Sequence, residues 1–186
     1  ESSAASDVYK RQKEGLTVVI SAEHLTVGYG RTTIIDDMTF GPLEEGKVVG
    51  LIGPNAAGKS TLVKTIAGIK KPSQGTCSIV VDGCEVTGKS RTTAIGYVPQ
   101  DMLTTASLTA FESIMVSAKR RGAVDADPVA ATADIMERLN ITHLADRMVS
   151  DMSGGQRQLV GVAQMLVRTP SVLLLDEPTS LSLIHI

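Results

Sequence analysis

Two groups of residues could together do chemistry on a phosphate. Gly53-Pro54-Asn55-Ala56-Ala57-Gly58-Lys59-Ser60-Thr61 has the spacing G-x-x-x-x-G-K-S. Glycines in such a loop let backbone N–H groups close on a polyphosphate where a Cβ would collide. A helix beginning near Gly58 turns its positive end toward that anion. Lys59 can reach the outer phosphates, and the Ser60 hydroxyl can hold Mg²⁺. Far downstream, Leu173-Leu174-Leu175 runs into Asp176-Glu177. A carboxylate closing an apolar strand can hold Mg²⁺, directly or through water, opposite Ser60. Glu177 could polarise the attacking water as a general base. By itself an acidic pair at a strand end is a solvated terminus as readily as a site. With a phosphate loop upstream, the two halves make a nucleotide-hydrolysing constellation.

These residues need elements that hold them. The apolar run Lys47 to Ile52 predicts a strand buried on both faces, delivering the chain into the loop. Leu62 to Ile66 continues as a helix, and Gly68 with Lys70-Lys71-Pro72 stops it. Ser171 to Leu175 reads as a second buried strand. Before the loop, Leu16 to Tyr29 is a strand pair or one long strand, Gly28-Tyr29-Gly30 a turn, and Thr32 to Phe40 a further strand. Gly41 to Gly46 has turn composition. Asp82-Gly83, between Ser78–Val81 and Cys84–Val86, is a hairpin signal. Thr93 to Val98 is a short strand ending at Pro99-Gln100. Three helices follow: Leu108 to Lys119, one opened by Pro128, and one opened by Asp151-Met152-Ser153-Gly154-Gly155-Gln156 and running to Arg168.

Composition narrows the class. The chain has 186 residues, 42% hydrophobic and 20% charged, with a formal net charge of −2. That is ordinary for a globular domain and carries no electrostatic footprint for nucleic acid. No apolar run approaches the length of a membrane span. Cys77 and Cys84 flank the hairpin with a spacing that fits no metal motif; a disulfide between them and two reduced thiols are both open, the thiols being the better fit to a cytosolic protein.

The ends read as foreign. Asp7-Val8-Tyr9-Lys10-Arg11-Gln12 can be encoded by DNA whose reverse complement encodes Leu181-Ser182-Leu183-Ile184-His185-Ile186. That segment resembles a transposon-derived sequencing adaptor. Residues 1–12 and 181–186 are therefore expected to be non-native scars around a native stretch of 13–180.

With these residues in view, the chain resembles the nucleotide-binding domain of an ABC transporter, over essentially all of residues 16–180. The resemblance implies an α/β P-loop NTPase core, an N-terminal antiparallel β subdomain and a helical subdomain at about 101–155 carrying the signature motif, with the C-terminal part missing. Met152-Ser153-Gly154-Gly155-Gln156 resembles that signature, usually written with Leu first. A glycine loop at a helix N-terminus is a second anion site; in the family it caps the γ-phosphate held by the other subunit. Tyr29 matches the aromatic that stacks on adenine, and Gln100 the glutamine that senses Mg²⁺ and the attacking water. The implied catalytic set is Glu177, Gln100 and Lys59. ATP would be held by Tyr29, Gly53, Asn55, Ala56, Gly58, Lys59, Ser60, Thr61 and the signature residues Ser153, Gly154, Gly155 and Gln156. Mg²⁺ would be held by Ser60, Gln100 and Asp176.

Two departures stand out. Ala56 occupies a loop position where the family commonly has Gly; a methyl is tolerable there if φ is negative. The family also continues past Ser180 to a histidine that contacts the γ-phosphate, and His24, His143 and His185 do not take that place. Poor hydrolysis by this chain is the expectation. The resemblance further implies a head-to-tail dimer with a second nucleotide-binding domain, integral membrane permease subunits, an external substrate-binding protein, and a place at the cytoplasmic face of a bacterial membrane. The Met102 to Phe111 region would meet the permease. Gln100–Lys119 and Gln156–Val160 look most like ATPases of iron–siderophore, haem and cobalamin importers. The alternatives are a non-transport ABC ATPase, which usually carries tandem domains or a long insertion, and a partner subunit that binds ATP without cleaving it.

Overall fold

The computed structural model describes residues 17–100, 107–119 and 127–177. Strand β1, Val18–Tyr29, is one long strand whose buried positions alternate through Val18, Ile20 and Ala22. Alternation places one face on a core and the other toward solvent. It pairs antiparallel with β2, Thr32–Glu44, and with β3, Gln74–Val81. The β3 strand turns at Asp82-Gly83 into the short β4, Cys84–Glu85. The sheet order is β2-β1-β3-β4. Asp82 and Gly83 both have positive φ, as the expected tight hairpin turn requires.

Helix α1, Lys59–Ile66, lies on this sheet and buries Leu62 and Ile66 with Leu25, Val27 and Ile79. Helix α2, Gly88–Ala94, leads into β5, Ile95–Val98. The β5 strand pairs in parallel with β6, Val172–Leu175. Val172 and Leu174 pack against the core shared with α1. Between them runs a helical unit: α3 is Ala110–Lys119, α4 is Pro128–Arg138 and α5 is Gly154–Leu166. Its own core joins Ile114, Met136, Leu144, Met152 and Val160. Thr109 and Glu112 cap α3 reciprocally, and Asp127 caps α4 ahead of Pro128. No helix among the described residues is long and apolar enough to cross a membrane.

Several expectations are corrected. Lys47–Ile52 is not a strand: it joins neither sheet, and Val48 and Ile52 are exposed almost completely. An apolar run is only half of what a buried strand needs, the other half being a neighbouring edge to bond with. The single parallel pair among the described residues, β5 with β6, does not take it up. For the same reason β6 is half-buried rather than buried. Residues 41–44, expected in a turn, extend β2, with Leu43 opposite Ile20 and Glu44 opposite Val19. Thr93 and Ala94 end α2 instead of starting β5.

The cysteines are both free. Cys84 sits opposite Val81 in the hairpin, four positions along β3 from Cys77. At about 3.3 Å per residue their Cα atoms lie beyond disulfide reach.

Candidate functional site

The loop folds around its own lysine. Lys59 Nζ donates to the carbonyl oxygens of Gly53, at 2.9 Å, and Pro54, at 2.8 Å. The ammonium therefore lies over the loop, where phosphate oxygens could take over from those carbonyls. Gly58 precedes α1 with φ 87°. A Cβ there would come within 2.9 Å of the Ile34 side chain, so only glycine fits. Gly53, Asn55 and Ala56 are exposed, Lys59 and Ser60 half-buried, and Thr61 buried. Ala56 has φ 65°, so the condition under which its methyl would sit comfortably is not met.

Asp176 lies directly after β6 and is 4% exposed. Its backbone N–H donates to Val98 O at 3.0 Å, extending the β5–β6 pairing by one step. The Tyr97 hydroxyl donates to its Oδ2 at 3.0 Å. Burial, then the bond to Asp176 and its charge, with a further push from Tyr29, drive Tyr97 well above the usual phenol range. The proton therefore stays on Tyr97, and the carboxylate is the acceptor. Glu177 follows, half-buried, with φ 47°. Gln100 is exposed just beyond β5.

Ser153 caps α5. Its Oγ accepts from Gln156 N at 3.3 Å, while Gln156 Oε1 accepts from Ser153 N at 3.1 Å. Met152 is buried beneath this turn, as expected of an apolar anchor. Gly154 is open: a Cβ built on it would meet nothing within 4 Å. Tyr29 ends β1, half-exposed, with Lys70 Nζ 4.2 Å from its ring centroid.

The structure thus brings Asp176 and Gln100 to the same ends of two paired strands. Among the described residues, no hydrogen bond or ion pair joins the loop to Asp176 or Glu177. With Lys47–Ile52 outside both sheets, the loop is not anchored to the β5–β6 pair from its N-terminal side. His24 pairs with Asp37 at 2.7 Å on the surface, and His143 is exposed, in keeping with non-catalytic roles. Residues 102–106 of the expected permease contact and both ends of the chain lie outside the described residues.

Sequence reasoning missed two residues. Tyr97 appeared only as part of the run before Gln100. Arg91 went unnoticed: its guanidinium donates to Thr65 O, Ile66 O and Cys77 O, tying the end of α1 to β3 from α2. A cation at helical C-terminal carbonyls is favourable. An arginine next to a strand start carries no spacing that announces such a role.

The donor set fits the groups it is expected to hold. Mg²⁺ prefers hard oxygens and is commonly bound by one or two carboxylates with substrate phosphates, rather than by an all-protein cage. Asp176 offers such an oxygen. No cluster of three or more His, Cys, Asp or Glu side chains that could hold a metal occurs among the described residues.

Comparison with known proteins defines the class. The family model "ABC transporter" matches residues 35–180, and the chain belongs to that family. It is 32% identical to the linearmycin resistance ATP-binding protein LnrL of Bacillus subtilis, covering 87% of this chain and 51% of that one. It is also 32% identical to the ferric enterobactin transport ATP-binding protein FepC of Escherichia coli, covering 87% and 61%. The solved structure of cbiO1 from Clostridium perfringens, part of the transporter complex cbiONQ, superposes with a TM-score of 0.72 at 29% identity, covering 88% and 67%. The chain spans about half to two thirds of the length of these relatives.

Proposed function

We propose that this chain binds Mg²⁺–ATP and belongs to an ATP-hydrolysing subunit that powers a membrane transporter. The carrying observation is the loop: Lys59 Nζ held over the Gly53 and Pro54 carbonyls at the start of α1. The loop amides, the α1 N-terminus and Lys59 would bind the β- and γ-phosphates. Ser60 and Asp176 would hold Mg²⁺, with Gln100 contributing, and the bound metal would neutralise charge developing on the phosphates. Tyr29 would stack on adenine. Glu177 would accept a proton from the attacking water, oriented with Gln100.

The turn at Ser153–Gln156, exposed at Ser153 and Gly154, is suited to a second nucleotide's γ-phosphate across a head-to-tail dimer. Closing that dimer would move permease subunits at the cytoplasmic face of a bacterial membrane. For cargo we favour an iron–siderophore or a similar metal chelate delivered by an external binding protein. Likeness to FepC supports this, whereas likeness to LnrL supports a resistance role.

Nucleotide binding to the 186-residue chain tests the core of the reading. Lys59→Ala should abolish binding of a fluorescent ATP analogue while circular dichroism stays unchanged. Equal binding by both proteins would reject the loop as the site. In a complete hydrolysing subunit that contains this stretch, Glu177→Gln should bind ATP as the unaltered subunit does and prolong an ATP-dependent dimer; an equal dimer lifetime would remove Glu177 from its assigned role.

A further inference from the structure

Asp176 is held on two sides by one strand. Its backbone bonds to Val98 O, and its Oδ2 accepts from Tyr97 Oη, a neighbour 79 positions away in sequence. Tyr97 and Val98 face Leu174 and Leu175 across the parallel pair, so both tethers come from β5. No buried side-chain oxygen lacks a partner among the described residues. Oδ2 of Asp176 is thus the oxygen anchored by β5, while Oδ1 accepts no hydrogen bond from the other described residues.

We propose that Tyr97 is a positioning residue for the metal site: its hydroxyl fixes the Asp176 carboxylate so that Oδ1 is presented to Mg²⁺. The inference rests on the Mg²⁺–ATP reading above. A buried carboxylate with one oxygen anchored is set to offer the other for single-point coordination. Without the phenol it could rotate, or turn both oxygens toward solvent. Because β5 also leads directly to Gln100, the same strand sets the two groups expected beside the metal. Tyr97 touches no reacting atom in this scheme. Its effect passes entirely through Asp176.

Tyr97→Phe removes one oxygen and keeps the ring that packs in the core. The measurement is titration of the 186-residue chain and its variant with a fluorescent ATP analogue, once in EDTA and once in saturating Mg²⁺. The expected result is metal-free affinity within about twofold of the parent and a Mg²⁺-dependent gain reduced several-fold, as loss of a hydrogen bond to a charged group implies. A purely structural role would weaken both affinities alike. That outcome, or an undiminished Mg²⁺ gain, overturns the proposal. A parent chain that binds nucleotide with no Mg²⁺ gain overturns it while leaving nucleotide binding intact. A parent that binds no nucleotide overturns the functional reading and this inference with it.

Discussion

Lys70 Nζ lies 4.2 Å from the centroid of the Tyr29 ring, so one face of the aromatic expected to meet adenine is already covered by a cation. At an exposed ring such a contact contributes about 0.5–1 kcal/mol. A purine stacking on that face must displace the ammonium. Lys70→Met is therefore expected to tighten nucleotide binding about two- to fivefold, the equivalent of that energy. Weaker binding by the variant would place base and ammonium on opposite faces. Tyr29→Phe keeps the ring and should bind nearly as well as the parent, whereas Tyr29→Ala should lose affinity for ATP and GTP alike, since stacking needs only a π-face.

Ala56 is an alanine in a glycine's conformation, at φ 65°. For an L-residue the left-handed region costs about 1–2 kcal/mol. Glycine's extra freedom in the unfolded chain returns about 0.5–1 kcal/mol of that. Ala56→Gly should therefore raise stability by about 0.5–1 kcal/mol, read as a higher urea midpoint at unchanged slope. A lower midpoint would mean that the loop relaxes around alanine in solution. Nucleotide affinity should hold or improve, because a loop free of strain closes on phosphate more readily.

Cys77 and Cys84 should differ sharply toward alkylating reagents. Cys84 is exposed, whereas Cys77 is half-buried against Arg91. Burial raises the Cys77 pKa, and the opposing charge and hydrogen bond of Arg91 offset only part of that rise. Iodoacetamide should label Cys84 first, with Cys77 following only at a pH above that of an ordinary thiol. The sign for stability follows. The folded state prefers the neutral thiol, so its contribution is complete below the unfolded thiol pKa and is lost as pH rises from there through the folded value. Cys77→Ala should flatten that alkaline decline. Equal labelling rates at neutral pH would show that β3 opens far more readily than its ladder suggests.

Legibility in the sequence depended on whether a feature was local. The Asp82-Gly83 turn and the helix starts at Pro128 and at the Ser153–Gln156 run are specified within a few residues, and each is found where it was read. Lys47–Ile52 failed because its pattern describes a strand's interior and says nothing about which edge receives it. Helix α2 was invisible: Gly88–Ala94 has no buried residue and hence no apolar stripe, and only its capping box at Thr87 and Ser90 marks it. Tyr97 and Asp176 meet through the parallel β5–β6 register, a relationship no spacing encodes. The loop motif is legible without the fold, because a phosphate-binding loop is built from contiguous backbone.

Ser153 performs two tasks that a substitution can separate. As the N-cap of α5 it satisfies Gln156 N, and its loss in Ser153→Ala should cost about 1 kcal/mol of stability with no nucleotide present. Any loss of function in that variant is thus partly a folding effect. Aspartate caps a helix as well as serine does, and its charge also suits the helix N-terminus. Ser153→Asp should therefore unfold at the parent's urea midpoint. Yet it places a carboxylate where the γ-phosphate of a second nucleotide is proposed to dock, and like charges there repel. ATP-dependent dimerisation, followed by size-exclusion chromatography, should be lost in Ser153→Asp while nucleotide binding by the monomer persists. Dimerisation equal to the parent's would remove the Ser153 turn from the phosphate contact and leave it a capping motif alone.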